Sequence, residues 1–232
     1  MPDSTAILEL LEAVPDQESS ELPPVPIDLT LMAGDFALIE VRSAPRAAQF
    51  ADLCCGLLPV MRGSVRFLGR DWASESDEQA AALRGRIGRV HGVGAWIDFI
   101  TTDLNILLPQ LHHTRRPVAA LRDAAAELAR SFGLPGVPLV RPAALTAADR
   151  ARAACVRAFL GDPRLVLLES PVQAQFADLI PPLLNAMAAA RDKGAAAIWL
   201  ARTDLIWRDR SFPATCRLRL SDYGLMPVRH TA

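Results

Sequence analysis

The chain has 232 residues, 51% of them hydrophobic, and its 25 basic and 26 acidic residues leave a net charge of -1. This composition predicts a folded protein with a substantial core, and it excludes a global field that would attract nucleic acid or an anionic membrane. Four cysteines without a C-x-x-C pair predict buried thiols, while the acidic N-terminus and the lack of a long apolar run predict a soluble cytoplasmic protein.

The first predicted elements are a short segment and a proline-rich loop within residues 1–26, so we place the start of the domain at Ile27. The stretch "IDLTL" alternates apolar and polar residues, which predicts a half-exposed strand, and the apolar run "FALIEV" predicts a buried one. A further strand, "SVRFLG", a helix over residues 74–85 and a short strand, "RIGRV", follow.

Helices and apolar strands alternate beyond residue 116. One helix is predicted over residues 117–132, and a second begins after Thr146 as its cap and ends at Gly161. The strands "RLVLLE" and "AAAIWLA" flank a helix that ends at Gly194, and a hairpin is expected around residues 222–224. This alternation predicts an α/β fold with a mostly parallel sheet and flanking helices on both faces.

The turn "VRSAPRAAQ" lies between a buried strand and a helix, which is where many α/β proteins bind phosphate. Such loops need glycines that let the backbone approach the phosphate, and a lysine that neutralises it. Neither residue type occurs between Gly34 and Gly56, and Lys193 is the only lysine in the chain. The frame of a phosphate loop is therefore present without its chemistry.

The order of these pieces, with "GLLP" after the turn, "LTAAD" opening a helix, then "GDPRLVLLESP" and "IWLARTD", resembles the nucleotide-binding subunit of ABC transporters. The resemblance runs from about residue 27 to the C-terminus. It implies an ABC-type P-loop NTPase fold over residues 27–232, with an antiparallel β part near the N-terminus and a helical subdomain at about residues 93–160.

The resemblance also identifies positions that touch nucleotide in the family, and this chain departs at each of them. The phosphate-loop positions are Val41, Arg46, Ala47 and Ala48, and the glutamine-loop position is Gly92. The signature is Leu145, Thr146, Ala147, Ala148 and Asp149. Glu169 stands at the magnesium-binding aspartate, Ser170 at the general base and Arg202 at the switch histidine. No aromatic in "AILELLEAVP" can stack on adenine. We expect no catalytic residue, no metal, no bound ATP or Mg²⁺, and no ATPase activity.

The middle segment "GVGAWIDFITTDLNILLPQLHHTRRP" resembles that of the Mla or MCE-type ATPases of bacterial phospholipid transport. The matching residues are Gly94, Ala95, Asn105, Leu108, Pro109, His113, Thr114 and Pro117. The resemblance implies a peripheral protein of the bacterial inner membrane that docks on a permease through residues 92–117. It also implies a homodimer, or a heterodimer with another ATPase subunit. Candidate docking residues are Val93, Trp96, Ile97 and Phe99.

Two other functions stay open: an unusual but active ATPase, which would bind ATP and Mg²⁺, and a free-standing scaffold or regulator that retains the fold. For a buried Glu169 we expect an opposite charge nearby, with Arg202 as the candidate partner. The arginines at positions 84, 86 and 89 are expected to form a solvated basic strip. Arg46 is considered as a cation mimic inside the phosphate pocket.

Overall fold

A computed structural model describes residues 6–16, 20–92, 95–172 and 174–228. The strands are β1 (Leu8–Pro15), β2 (Ile27–Leu31), β3 (Phe36–Glu40), β4 (Val60–Phe67), β5 (Arg70–Asp71), β6 (Ile87–Val90), β7 (Leu165–Glu169), β8 (Ala196–Ala201), β9 (Cys216–Ser221) and β10 (Gly224–Pro227). The helices are α1 (Ala44–Cys54), α2 (Asp77–Arg84), α3 (Thr102–His113), α4 (Val118–Ser131), α5 (Ala147–Phe159), α6 (Ile180–Asp192) and α7 (Asp204–Arg208). No helix among these residues is long and apolar enough to cross a membrane.

The larger sheet has six strands in the order β10-β9-β3-β8-β7-β6. All pairs from β9 to β6 are parallel, and only the β9–β10 hairpin is antiparallel. Every residue of β3, β7 and β8 is buried. Parallel strands that lie in the middle of a sheet need apolar residues on both faces, because helices cover both sides. The predicted parallel sheet with flanking helices is confirmed.

The smaller sheet is antiparallel, with strand order β2-β1-β4-β5. Its β2 shows the predicted alternation, since Ile27, Leu29 and Leu31 point into the core. However, β1 lies between β2 and β4 and pairs with both of them. The fold therefore includes residues before Ile27, where the sequence pattern placed its start. The mixed character of β1, with a bulge and a glutamate at positive φ, explains why the pattern did not mark it as an interior strand.

Helices α3, α4 and α5 pack on one another within the range 93–160 that was expected to be helical. The sequence pattern did not predict α3, whose interior contains Pro109. Proline lacks an amide hydrogen and disfavours a helix interior, so it hides this helix from pattern analysis. Two apolar clusters form the core, one of them containing Cys54 and Cys55, which confirms core packing for these thiols.

Candidate functional site

The turn that resembles a phosphate loop is short. β3 ends at Glu40 and α1 begins at Ala44, with the side chain of Ser43 accepting a hydrogen bond from the Arg46 amide at 3.3 Å. Proline in the first turn favours this early start because its fixed φ suits a helix. The Ala47 amide donates to the Ser43 carbonyl at 3.1 Å. Only residues 41–43 separate strand from helix, and the amides of Arg46 and Ala47 already have partners.

The side chain of Arg46 points away from this turn. Its Nη2 lies 2.6 Å from Asp222 Oδ1 in the β9–β10 turn, and its Nε donates to the Glu21 carbonyl at 3.4 Å. The idea that Arg46 stands inside the pocket as a cation mimic is therefore wrong, because its partners lie on the outer loops. Ala47, at the lysine position, is 1% exposed. Its methyl group packs in the core and offers no charge.

Arg42, within the turn, is exposed, and the largely buried cation beside the turn is Arg89 from β6. Its Nε donates to Glu169 Oε1 at 2.5 Å, its Nη1 to Asp52 Oδ1 at 2.6 Å and its Nη2 to the Ala48 carbonyl at 3.0 Å. The side chain is only 11% exposed. Burial by itself lowers the pKa of Arg89, but the negative charge of Glu169 and the other partners raise it above its ordinary value. Arg89 thus joins α1 to β7 as a permanent buried cation.

Glu169, at the end of β7, is 4% exposed and uses both carboxylate oxygens. Its Oε1 accepts from Arg89, and its Oε2 accepts from the Gly92 amide at 3.3 Å. The expectation that Arg202 would be its partner is wrong. β6 carries Arg89 directly beside β7, whereas Arg202 lies just beyond β8 and is exposed.

The basic strip of three arginines is also not a single solvated face. Arg84 donates to the carbonyls of Cys55 and Gly56 at 3.0 and 2.8 Å, and Arg89 is buried. Only Arg86 is exposed. Arg84 ends α2, Arg86 lies before β6 and Arg89 lies within it, so the three side chains reach different partners in space.

Ser170 and the signature residues have structural roles. The Ser170 hydroxyl donates to the Leu200 carbonyl at 3.1 Å, at a residue with φ of 47°. Thr146 caps α5, as predicted, by accepting from the Asp149 amide at 3.1 Å and donating to Asp149 Oδ2 at 2.8 Å. Ala147 and Ala148 form the first turn of that helix. A magnesium nucleotide does not fit this donor set, since the side chains of Ala47 and Ala48 have no polar atom and both oxygens of Glu169 are engaged.

His91 lies beside the same network. Its Nδ1 is 3.8 Å from Glu169 Oε1, and 34% of its side chain is exposed. Burial lowers the pKa of His91 to about 4, and the charges of Arg89 and Arg157 act in the same direction. The imidazole is therefore neutral at pH 7, next to a carboxylate that Arg89 already neutralises.

The candidate docking residues Trp96, Ile97 and Phe99 lie in a loop whose backbone is hydrogen-bonded by the side chain of Asn105. Buried to 3% exposure, Asn105 accepts from the Ile97 amide at 2.9 Å and donates to the Ile97 and Thr101 carbonyls. Phe99 at the tip of this loop is 78% exposed. Trp96 is half-buried under the guanidinium of Arg157, 4.5 Å from the ring centre. Val93 lies outside the described residues.

A cavity of about 430 Å³ lies beside this loop, with Trp96, Asp98, Arg150 and Arg157 in its wall. Burial lowers the pKa of Arg157 to about 10, so the side chain is still charged at pH 7. The structure therefore brings the loop of the docking candidates against the first turns of α5, where the signature lies.

Sequence reasoning missed Asp52 and the true role of Arg89. These residues are 37 positions apart, and Arg89 is 80 positions from Glu169, so no local pattern connects them. The pair of buried Glu40 and half-exposed Arg219, 2.5 Å apart, was missed for the same reason. The sequence offered one sign of such pairs: Glu40 and Glu169 each end an otherwise apolar strand, and a buried acid needs a cation nearby.

No protein-family model matches the chain. It is similar to the lipoprotein-releasing system ATP-binding protein LolD of Alcanivorax borkumensis, with 29% identity over 74% of this chain and 76% of the relative. It is also similar to the intermembrane phospholipid transport system ATP-binding protein MlaF of Haemophilus influenzae, with 27% identity over 64% of this chain. The match spans 56% of that MlaF, less than two thirds of its length. The dimeric bacterial ABC transporter cassette MJ0796 superposes with a TM-score of 0.79 at 18% identity, covering 96% of this chain and 99% of the other, so the folds agree.

Proposed function

We propose, from the premise that this chain belongs to the ATP-binding subunits of ABC transporters, that it is a catalytically inactive cassette in a membrane transport complex. Its role in such a complex is structural or regulatory. It docks on a permease subunit and pairs with a second cassette, and it neither binds nor hydrolyses ATP.

The observation that carries this proposal is the position of Arg89. Its guanidinium lies between α1 and Glu169, and bonds to the Ala48 carbonyl at the position of the phosphate-loop hydroxyl. A nucleotide phosphate bound here would need a cation and free amide groups from the chain. The cation is instead paired with two carboxylates of the same chain, and a second anion would have to displace them. The ion pairs of Arg89 with Glu169 and Asp52 therefore satisfy the charge that a bound phosphate would otherwise neutralise.

The signature supports the same proposal for a paired subunit. In the resemblance, each site of a dimer combines the phosphate loop of one cassette with the signature of the other. Here Thr146 of that signature is the N-cap of α5, and Ala147 and Ala148 form the first turn of the helix. A partner cassette would therefore receive no glycine-rich grip on a phosphate from this chain.

A role in lipid transport is the finer part of the proposal. It rests on the middle segment that resembles Mla-type ATPases and on the similarity to MlaF. The bonds from Asn105 hold the loop that carries Ile97 and Phe99 in a defined shape. A fixed loop with an exposed aromatic tip suits docking against a permease helix, because little side-chain and backbone freedom is lost on binding. The protein would then be peripheral to a bacterial inner membrane.

The test is a titration of the purified chain, and of its complex with a permease, with magnesium ATP. We expect no binding at millimolar nucleotide and no turnover above a no-protein control. Turnover by the complex that Glu169→Gln or Ser170→Ala abolishes would identify an unusual active ATPase instead. A chain that forms no complex with any permease, and that stays away from membranes in fractionated cells, would fit the scaffold alternative.

A further inference from the structure

A groove lies at the amino ends of β6 and β7, at the edge of the sheet opposite the turn of residues 41–43. Its volume is about 700 Å³. This lies within the range of roughly 300–1,000 Å³ that is typical of small-molecule sites. The groove is separate from the ion network around Arg89 and from the loop of Phe99, and neither accounts for it.

The long wall of the groove is one face of α6. Residues at positions 182, 186, 189 and 193 recur every three or four residues, and the face runs from Pro182 to Lys193. At 1.5 Å per residue this wall is about 16 Å long. Small alanine side chains keep it shallow and apolar. Leu128 of α4 and Phe159 of α5 line the opposite wall.

One end of the groove is positively charged. Arg86 and Arg164 precede β6 and β7 and lie side by side, since the Arg164 amide donates to the Arg86 carbonyl at 2.8 Å. Lys193 closes this end, where it pairs with Asp162 at 2.8 Å. Neither arginine forms an ion pair with any part of the chain that the structure describes. Three cations and one carboxylate leave an excess of two positive charges.

Arg164 provides a second and independent observation. Its Nε is shielded from solvent and lacks a hydrogen-bond partner among the described residues. An unsatisfied buried donor costs about 1–3 kcal/mol, and a guanidinium prefers to bind a planar or tetrahedral anion through two of its nitrogens.

We propose that this groove binds a long-chain carboxylate, with the anionic head at Arg164 and Arg86 and the aliphatic chain along α6. The shape and charge fit such a ligand together. An apolar channel about 16 Å long suits an extended hydrocarbon chain, and Arg86 and Arg164 at the charged end attract an anionic head. An anion without a hydrocarbon tail would leave the channel unfilled. A cationic amphiphile would be repelled by the two arginines, which have no ion-pair partner among the described residues. The inference does not depend on whether the chain binds ATP.

The test is calorimetric titration of the full chain with dodecanoate below its self-association concentration. Dodecyltrimethylammonium, with the same chain length and opposite charge, and acetate, with the charge alone, are the matched probes. Arg164→Gln should weaken dodecanoate binding about tenfold or more, because a charge-assisted hydrogen bond is lost. Ala189→Trp, at an exposed position of the wall, should abolish binding by filling the channel. Arg122→Gln, on the exposed face of α4, should leave it unchanged.

Equal affinity for dodecanoate and dodecyltrimethylammonium would overturn the inference, as would dodecanoate binding that neither variant reduces. Vesicles of phosphatidylglycerol provide a further arm. Flotation with vesicles that requires Arg164, without dodecanoate binding, would assign the face to a lipid surface and contradict a free carboxylate. Sedimentation velocity of the unliganded chain covers the remaining case. A dimer that Ala189→Trp dissociates would show that a second copy covers the groove, and would overturn the proposal as well.

Discussion

The guanidinium of Arg89 joins three elements that are distant in sequence: α1 through Asp52 and Ala48, its own strand β6, and β7 through Glu169. A buried ion pair is held by the balance between its mutual attraction and the cost of removing both charges from water. Here the arginine has three acceptors and the carboxylate has a second donor in Gly92, so the network is well satisfied. Removal of a single member leaves the others uncompensated.

We therefore expect Glu169→Leu to lower the free energy of unfolding by about 3–5 kcal/mol, because it leaves a buried guanidinium without its main carboxylate. Urea unfolding followed by circular dichroism measures this. The double variant Arg89→Met with Glu169→Leu should recover most of the loss, since both charges are gone. A single variant that loses less than about 1 kcal/mol would contradict the importance of the pair.

The lowered pKa of His91 predicts that the stability of the protein depends on pH. This pKa is lowered from 6.5 to about 4 in the folded protein, first by burial and then by Arg89 and Arg157. Between these two values the unfolded chain binds more protons than the folded one, so stability falls as the pH drops from about 6.5 to 4. The slope stays below a ceiling of about 1.4 kcal/mol per pH unit, because solvent screens a side chain that is 34% exposed.

The measurement is urea unfolding at several pH values between 7 and 4. His91→Gln should flatten the part of the profile that His91 causes. His112→Gln, at an exposed position of α3, is the matched control and should leave the part of the profile that His91 causes unchanged. If the slope of the His91→Gln variant equals that of the unaltered chain, another group causes the pH dependence.

At the scale of elements, the loop before α3 depends on one side chain of that helix. The side chain of Asn105 provides hydrogen-bond partners for the backbone of residues 97–101. It bonds to the backbone of Ile97, Ile100 and Thr101. The same loop ends at the helix start, where Thr102 donates to the Val140 carbonyl at 2.7 Å. Such backbone groups are costly to leave unpaired when buried. The loop is therefore ordered by α3 and not by its own sequence.

Asn105→Ala should cost about 1–3 kcal/mol of unfolding free energy and loosen the loop. Amide hydrogen exchange of Ile97 should speed up more than that of Leu121, which is buried within α4. Leu104→Ala, on the exposed face of α3, is the control that keeps these bonds. Under the proposed function, the Asn105 variant should also bind a permease more weakly than the control does. Unchanged exchange at Ile97 would contradict this role of Asn105.

At the scale of the whole molecule, two sheets share one core, and the first strand of the chain belongs in the middle of the smaller one. β1 pairs with β2 on one side and β4 on the other. Ile7, Leu8 and Leu10 are each at most 1% exposed. The N-terminal segment is thus part of the structure that supports α1, and not an appendage to it.

A chain that begins at Ile27 should therefore fail to fold. Without β1, both β2 and β4 become unpaired edges, and a row of apolar side chains loses its cover. We expect aggregation on expression and no cooperative thermal transition. A chain that begins at Ala6 keeps the strand and is the matched control. A soluble, cooperatively folded protein from the shorter chain would show that β1 is dispensable.

Much of this architecture follows from local sequence. The apolar runs at "FALIEV", "RLVLLE" and "AAAIWLA" become β3, β7 and β8, and Thr146 caps α5, because burial and capping depend on residues close together in the chain. α3 was missed because Pro109 hides it, and β1 because its bulge breaks the alternation. For the candidate site, the sequence proposed the positions of Glu169 and the turn after β3, but it did not predict the partners that these residues have in the structure.

The sequence alone determined that the turn after β3 has no glycine and no lysine, since residue types do not depend on folding. It also determined the α/β class, because the spacing of apolar residues and the length of each apolar run indicate which faces of the helices and strands are buried. Only the tertiary structure decided that Arg89, and not Arg202, is the partner of Glu169, and that Arg46 pairs with Asp222. The order of strands in the sheet places β6 against β7 and α1 above both, and charges tens of residues apart meet only once that order is formed. The same order brings Arg86 and Arg164 together at the opposite edge.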